Sequence, residues 1–221
     1  MSWLAPPALP ARPLPHHHAA VCDFYADLIT AVMRTMATRF HSATSTPPLV
    51  DTKLDLGSAT GADFPADDPI RGAGAVYGWI QGRGLEALAG HAQWLRAAGA
   101  EGELEGELRD MLAAVTQTVQ QLRARCSGRM WFFMRPDGTP FELREAEGDG
   151  PPVPTDIDIG ARPIGFADVF TAKGLFAAAV ALGDEAVRAD AVAYVKRVTD
   201  AILQGPAGFE NDQEPLDPKN P

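Results

Sequence analysis

Hydrophobic positions recur along this chain in two alternating styles. Over residues 21–40, Val21, Phe24, Tyr25, Leu28, Ile29, Val32, Met33, Met36 and Phe40 fall on one side of a helix. That spacing predicts an amphipathic helix with one wet face. Over residues 79–95 (WIQGRGLEALAGHAQWL), Trp79, Ile80, Leu85, Leu88, Trp94 and Leu95 spread round the whole circumference at about 100° per residue. This predicts a helix buried on all sides. Residues 103–125 return to one face, with Leu104, Leu108, Met111, Leu112, Val115, Val119 and Leu122. Residues 163–182 are again apolar nearly all round, with only Asp168, Thr171 and Lys173 polar in the interior. Residues 184–203 carry one stripe, Val187, Ala191, Val195, Val198 and Ile202. Two short strands around a Pro136-Asp137-Gly138 turn are predicted over 129–144. Polar, Pro- and Gly-rich loops are predicted over 42–74 and 145–162.

The order is outer, inner, outer, inner, outer. A simple bundle would leave every helix a wet face, so the alternation points to an all-α toroid of antiparallel helix pairs with one small β-hairpin. Inner helices would line a cavity and outer ones would face water. A closed (α/α)6 ring needs about twice this length at the same spacing, so the chain reads as roughly the first half of such a barrel. Residues 1–20 read as a proline-rich leader without fixed structure, 21–204 as the partial barrel, and 205–221 as a loop or tail at which the barrel is cut short.

Bulk properties narrow the function classes. A net charge of −10 over 221 residues argues against nucleic acid or an anionic membrane as partner. No run reaches the roughly 18 apolar residues of a membrane span. Cys22 and Cys126 form no redox or metal spacing, which makes reduced thiols and a cytoplasmic setting the expectation.

Three pieces resemble one family. The segment VYGWIQGRGL over 76–85 resembles the start of an inner helix in the N-acylglucosamine 2-epimerase family. The hairpin around Phe132-Phe133-Met134-Arg135-Pro136-Asp137-Gly138 resembles that family's aromatic–Arg–Asp–Gly turn. Phe166-Ala167-Asp168-Val169-Phe170, followed by Gly174-Leu175 and a break at Gly183-Asp184, resembles a second inner helix. The match runs over about 49–203, in order and spacing. The resemblance implies an (α/α)6 barrel that epimerises or isomerises sugars by proton abstraction alpha to the open-chain carbonyl, with no cofactor and no metal. In that family the proton-transfer histidines lie on inner helices of the second half. The five histidines here, His16, His17, His18, His41 and His91, form no such motif.

A buried charge is expensive unless paired, so the polar residues of the all-round helix, Gln81, Arg83, Glu86 and His91, demand partners or a ligand. The resemblance places Arg83 near the sugar, where a cation would stabilise the developing enolate oxygen. This makes it the expected catalytic residue. Structural pairing with Glu86, Asp168 or a loop acid is the alternative. Trp79, one turn earlier, would either stack on the sugar ring or belong to the core. Gln81 lies about 200° from Trp79, so it faces either the sugar or a neighbouring helix. Asp168 and Thr171 share a face and would bind sugar hydroxyls, with pairing to Arg83 as the other reading of Asp168. Lys173 points to an edge, and His91 reads as a core histidine. His16 to His18 have poor geometry for a metal. The loop acids Asp67, Asp68, Asp156 and Asp158 leave open a glycoside hydrolase on the same fold. A non-catalytic half-barrel that associates with a second copy through its open flanks is the third reading.

Overall fold

The computed structural model describes residues 15–42, 47–51, 63–99, 102–145, 152–160 and 162–210. The chain is mostly helical with a small antiparallel sheet. In order it forms α1 (Pro15–Ser42), β1 (Val76–Tyr77), α2 (Gly78–Ala97), α3 (Glu103–Arg125), β2 (Phe133–Met134), β3 (Pro140–Arg144), β4 (Val153–Asp156), α4 (Phe166–Leu182) and α5 (Glu185–Leu203), then a single 3-10 turn at Gly205–Ala207.

The expected helices are present, with informative shifts. α3 occupies the predicted range. α1 starts six residues before the expected 21, inside the stretch read as an unstructured leader. Pro15 occupies its first position, where a missing N–H leaves no intrahelical bond unmade. The rest of the leader, 1–14, and the tail, 211–221, lie outside the described residues. α4 ends on Gly183, at φ 70°, where only glycine turns left-handed without strain. Asp184 then caps α5 by accepting from the Val187 N–H at 3.0 Å.

The predicted hairpin is part of a four-stranded sheet ordered β1-β2-β3-β4, antiparallel throughout. Phe133 pairs with both Tyr77 and Phe141, and Phe141 with Asp156. Between β2 and β3 the turn is closed by Arg135 N–H donating to Thr139 carbonyl (2.7 Å) and Gly138 N–H to Arg135 carbonyl (2.9 Å). Strand β4 falls in the segment read as a loop, and β1 runs straight into α2.

α2 packs most extensively on α4, which in turn packs on α5; α3 packs on α2, and α1 on α3. The α2–α4 contact is a backbone approach. A Cβ on Gly174 would lie 2.1 Å from the Gly82 carbonyl oxygen, and one on Gly82 would lie 2.4 Å from the Phe170 backbone. Leu85, Leu88, Leu112, Val115, Val119, Leu122 and Leu175 fill the core between the layers.

Two pattern readings need correction. Neither α2 nor α4 is buried all round. Arg83, Gly90, Gln93 and Trp94 are exposed along α2, and Lys173, Phe176 and Val180 along α4. Helices that are packed from one side keep an open stripe even when that stripe is partly apolar. On α5 the buried stripe is Val187, Ala191, Tyr194, Val198 and Ala201. Val187, Ala191 and Val198 are buried as expected, but Tyr194 and Ala201 take the places expected for Val195 and Ile202, which face water.

Candidate functional site

The open stripes of α2 and α4 lie side by side. On α2, Trp79, Arg83 and Glu86 follow at i, i+4 and i+7; on α4, Phe166, Phe170 and Lys173 repeat that spacing. The Arg83 guanidinium lies 5.7 Å from the Phe170 ring centre. Three residues further along both helices, Lys173 Nζ meets Glu86 Oε2 at 2.9 Å. The matched offsets show that α2 and α4 run in the same direction.

The floor of this face is aromatic. The Trp79 indole stacks on Phe132 at 5.6 Å with 16° between planes and tilts against Phe170 at 6.3 Å. Phe132 reaches it because the sheet docks on the start of α2, where the Gly78 N–H donates to the Phe132 carbonyl at 3.0 Å. A side chain on Gly78 would strike the Trp131 carbonyl at 2.1 Å. Phe166 continues the wall from Phe170 to Phe209, at 6.4 and 5.2 Å. The Trp79 Nε1 is buried and has no hydrogen-bond partner.

Arg83 sits over this floor, 5.8 Å from the Trp79 ring centre. It is exposed, not enclosed as the all-round pattern implied. Its expected structural partners are engaged elsewhere: Glu86 with Lys173 and Asp168 with Arg129. Among the described residues Arg83 makes ring contacts only. A cation held over aromatic faces with its donors unspent is suited to an oxygen-rich or anionic ligand.

Three other residues expected to bind substrate are buried. Gln81 is 2% exposed, and its amide closes a two-way bridge to Val50, accepting from the N–H at 2.8 Å and donating to the carbonyl at 2.9 Å. Its direction away from Trp79 is explained by this bridge to the 47–51 segment. Thr171 is fully buried where α2 meets α4, its backbone N–H against Gly82. Its hydroxyl has no partner.

Asp168 is 0% exposed. One carboxylate oxygen accepts from Arg129 Nη2 (2.9 Å), Arg129 Nε (3.2 Å) and the Gly165 N–H (3.2 Å). The other accepts from the Met130 N–H (3.0 Å) and from the Tyr194 hydroxyl. With five donors the group has no capacity left for a sugar. It fastens the start of α4 to the end of the α3 turn and to α5. Burial, reinforced by the neighbouring Asp168 charge, pushes the Tyr194 phenol well above its ordinary range. Arg123 and Arg197 flank its ring at 3.9 and 4.8 Å.

Lys173 is exposed, as its position predicted. His91 is half-buried on α2, and burial lowers its pKa. The side chains of His16 and His17 lie outside the described residues; His18 Nδ1 is 3.8 Å from Cys22 Sγ on an exposed turn. Asp68 accepts from the N–H groups of Ile70 and Arg71, which hold its carboxyl below the usual range. Asp156 pairs with Arg135 at 3.3 Å and Asp158 accepts from the Gly160 N–H at 3.3 Å. Asp67 is exposed. Cys126 is a free, buried thiol that donates to the Gly138 carbonyl at 2.9 Å. Among the described residues no cluster of histidine, cysteine or carboxylate could hold a metal, and no helix is long and apolar enough to cross a membrane.

Compared with protein-family models, with curated proteins and with solved structures, the chain matches none. The site therefore rests on its own geometry. Sequence reasoning missed Phe132, Phe166 and Phe170 as parts of the face. The matched i, i+4, i+7 stripes of the two inner helices were a signal that could have found the last two. Arg129 and Tyr194, the partners of Asp168, lie 39 and 26 residues away from it, and no local pattern announces them.

Proposed function

We propose that the α2–α4 face binds a sugar, and that this chain is part of an (α/α) barrel of the N-acylglucosamine 2-epimerase type. The single observation that carries the reading is Arg83. It is an exposed guanidinium, poised over Trp79 and Phe170, and no carboxylate neutralises it among the described residues. In this reading the apolar face of a pyranose or open-chain sugar lies against the half-buried Trp79 ring. Arg83 then donates to the carbonyl oxygen and stabilises the enolate formed when a general base, in this reading a histidine of the barrel's second half, takes the C2 proton. Glu86 and Lys173, one turn on, hydrogen-bond the remaining hydroxyls. Two parallel neighbouring helices, α2 backed by α3 and α4 by α5, are what an inner pair in a toroid requires, which supports the barrel reading. The loop acids favour no hydrolase: Asp68 and Asp156 are each spent on a turn or an arginine.

The reaction is tested by following exchange of the C2 proton of N-acetylglucosamine and of mannose into deuterated water by NMR. The reading expects exchange by this chain or by a version extended past residue 221, abolished by Arg83→Ala. Absence of exchange from both forms with both sugars overturns the epimerase reading. Exchange that survives Arg83→Ala removes Arg83 from the chemistry.

A further inference from the structure

A second site lies away from the α2–α4 face. Between α5, the 162–164 segment and the Gly205–Ala207 turn runs an open groove of about 640 Å³. This lies within the range of small-molecule sites. Its walls carry Lys196 and Arg197, with Arg162 already paired to Glu142 at 3.2 Å, Asp200 as its carboxylate and Gln204 as a neutral donor and acceptor.

Arg197 is held in place without being neutralised. Its Nη2 donates to the Gly128 carbonyl at 2.5 Å, and its guanidinium lies 4.8 Å from the Tyr194 ring centre. These contacts fix the planar fork and use one of its five N–H donors. Lys196 is exposed and, like Arg197, meets no carboxylate at ion-pair distance among the described residues. Asp200 is on the same helix, one turn on, and pairs with neither. The opposite wall is braced from behind: Arg129 donates to the carbonyls of Arg162 and Pro163, both at 2.5 Å. The Ile164 N–H donates to the Gly208 carbonyl at 2.9 Å, and the Glu210 N–H to the Ile164 carbonyl at 2.9 Å.

From this we infer that the groove binds the phosphoryl group of a small molecule, with Arg197 as the oriented donor fork and Lys196 as the second positive charge. A dianion matches two adjacent unneutralised cations better than a monoanion does. The inference is independent of the sugar reading of the α2–α4 face.

The experiment is an amide-detected NMR titration of the full chain with inorganic phosphate at constant ionic strength, with acetate in parallel. Saturable shifts concentrated at Lys196, Arg197, Gln204 and Gly208 are expected, with acetate weaker. Lys196→Gln removes an exposed side chain with no hydrogen bond or ion pair among the described residues, so it folds as the wild type does, and it weakens phosphate binding roughly tenfold, the value of one charge-assisted contact. Arg188→Gln, an exposed cation on the same helix paired with Glu185 at 3.0 Å, leaves the affinity unchanged. Shifts scattered over the surface, no saturation by about 50 mM phosphate, equal affinity in Lys196→Gln, or acetate binding as tightly as phosphate would each overturn the inference.

Discussion

Arg83 and Asp168 are both charged residues on the α2–α4 pair, and their surroundings give them opposite roles. Arg83 is exposed and meets aromatic rings, so Arg83→Ala should change stability by less than about 0.5 kcal/mol. Asp168 is enclosed by five donors. Its replacement by alanine leaves the Arg129 guanidinium without its carboxylate and the Met130 N–H and the Tyr194 hydroxyl without an acceptor, and should cost about 3–5 kcal/mol. Thermal melts of the two variants check the contrast. A stable Asp168→Ala protein would show that the cluster does not fasten α4 to α5. Tyr194 adds a pH dependence. Its folded pKa is raised above an unfolded value of about 10, so its contribution is complete below pH 10. That contribution is lost as pH rises toward the folded value, because only the unfolded chain ionises. Melting temperature measured from pH 8 to 11 should therefore fall more steeply for the wild type than for Tyr194→Phe. Parallel curves would contradict this.

At the scale of elements, the glycine contact between α2 and α4 sets the geometry of the face. A methyl group on Gly174 would meet the Gly82 carbonyl oxygen at 2.1 Å. Gly174→Ala must therefore separate the helices and should cost about 3 kcal/mol, a fall in melting temperature of about 6–12 °C for a domain of this size. Gly90, on α2 with nothing within 4 Å of its would-be Cβ, should instead gain about 0.5–1 kcal/mol on replacement by alanine. Equal effects at the two positions would deny the close approach. The elements themselves were largely legible. The 3.6-residue period located all five helices, and the Pro136-Asp137-Gly138 turn located β2 and β3. β1, at two residues, is too short to show a period, and β4 holds a proline and alternates nothing. Both form because β2 and β3 offer edges to pair with. Trp79 and Arg83 were legible as one face from their spacing. The occupation of Asp168 and Gln81 was not, because each is set by a partner more than 25 residues distant.

For the molecule as a whole, apolar side chains remain uncovered on several helices: Tyr25 and Val32 on α1, Trp94 on α2, Phe176 and Val180 on α4, and Val192, Val195, Ile202 and Leu203 on α5. Exposed apolar surface favours association, so sedimentation should show association that grows with concentration. A single sharp monomer at all concentrations would count against a contact face there. The central claim is the sugar-binding face itself. Its most direct test is an NMR titration of the full chain with mannose and with N-acetylglucosamine to about 50 mM, observing the Trp79 indole N–H and the amides around Arg83 and Lys173. The account predicts saturable shifts confined to that face, lost in Arg83→Ala at unchanged melting temperature. An unmoved Trp79 indole, or the same shifts in Arg83→Ala, would contradict it.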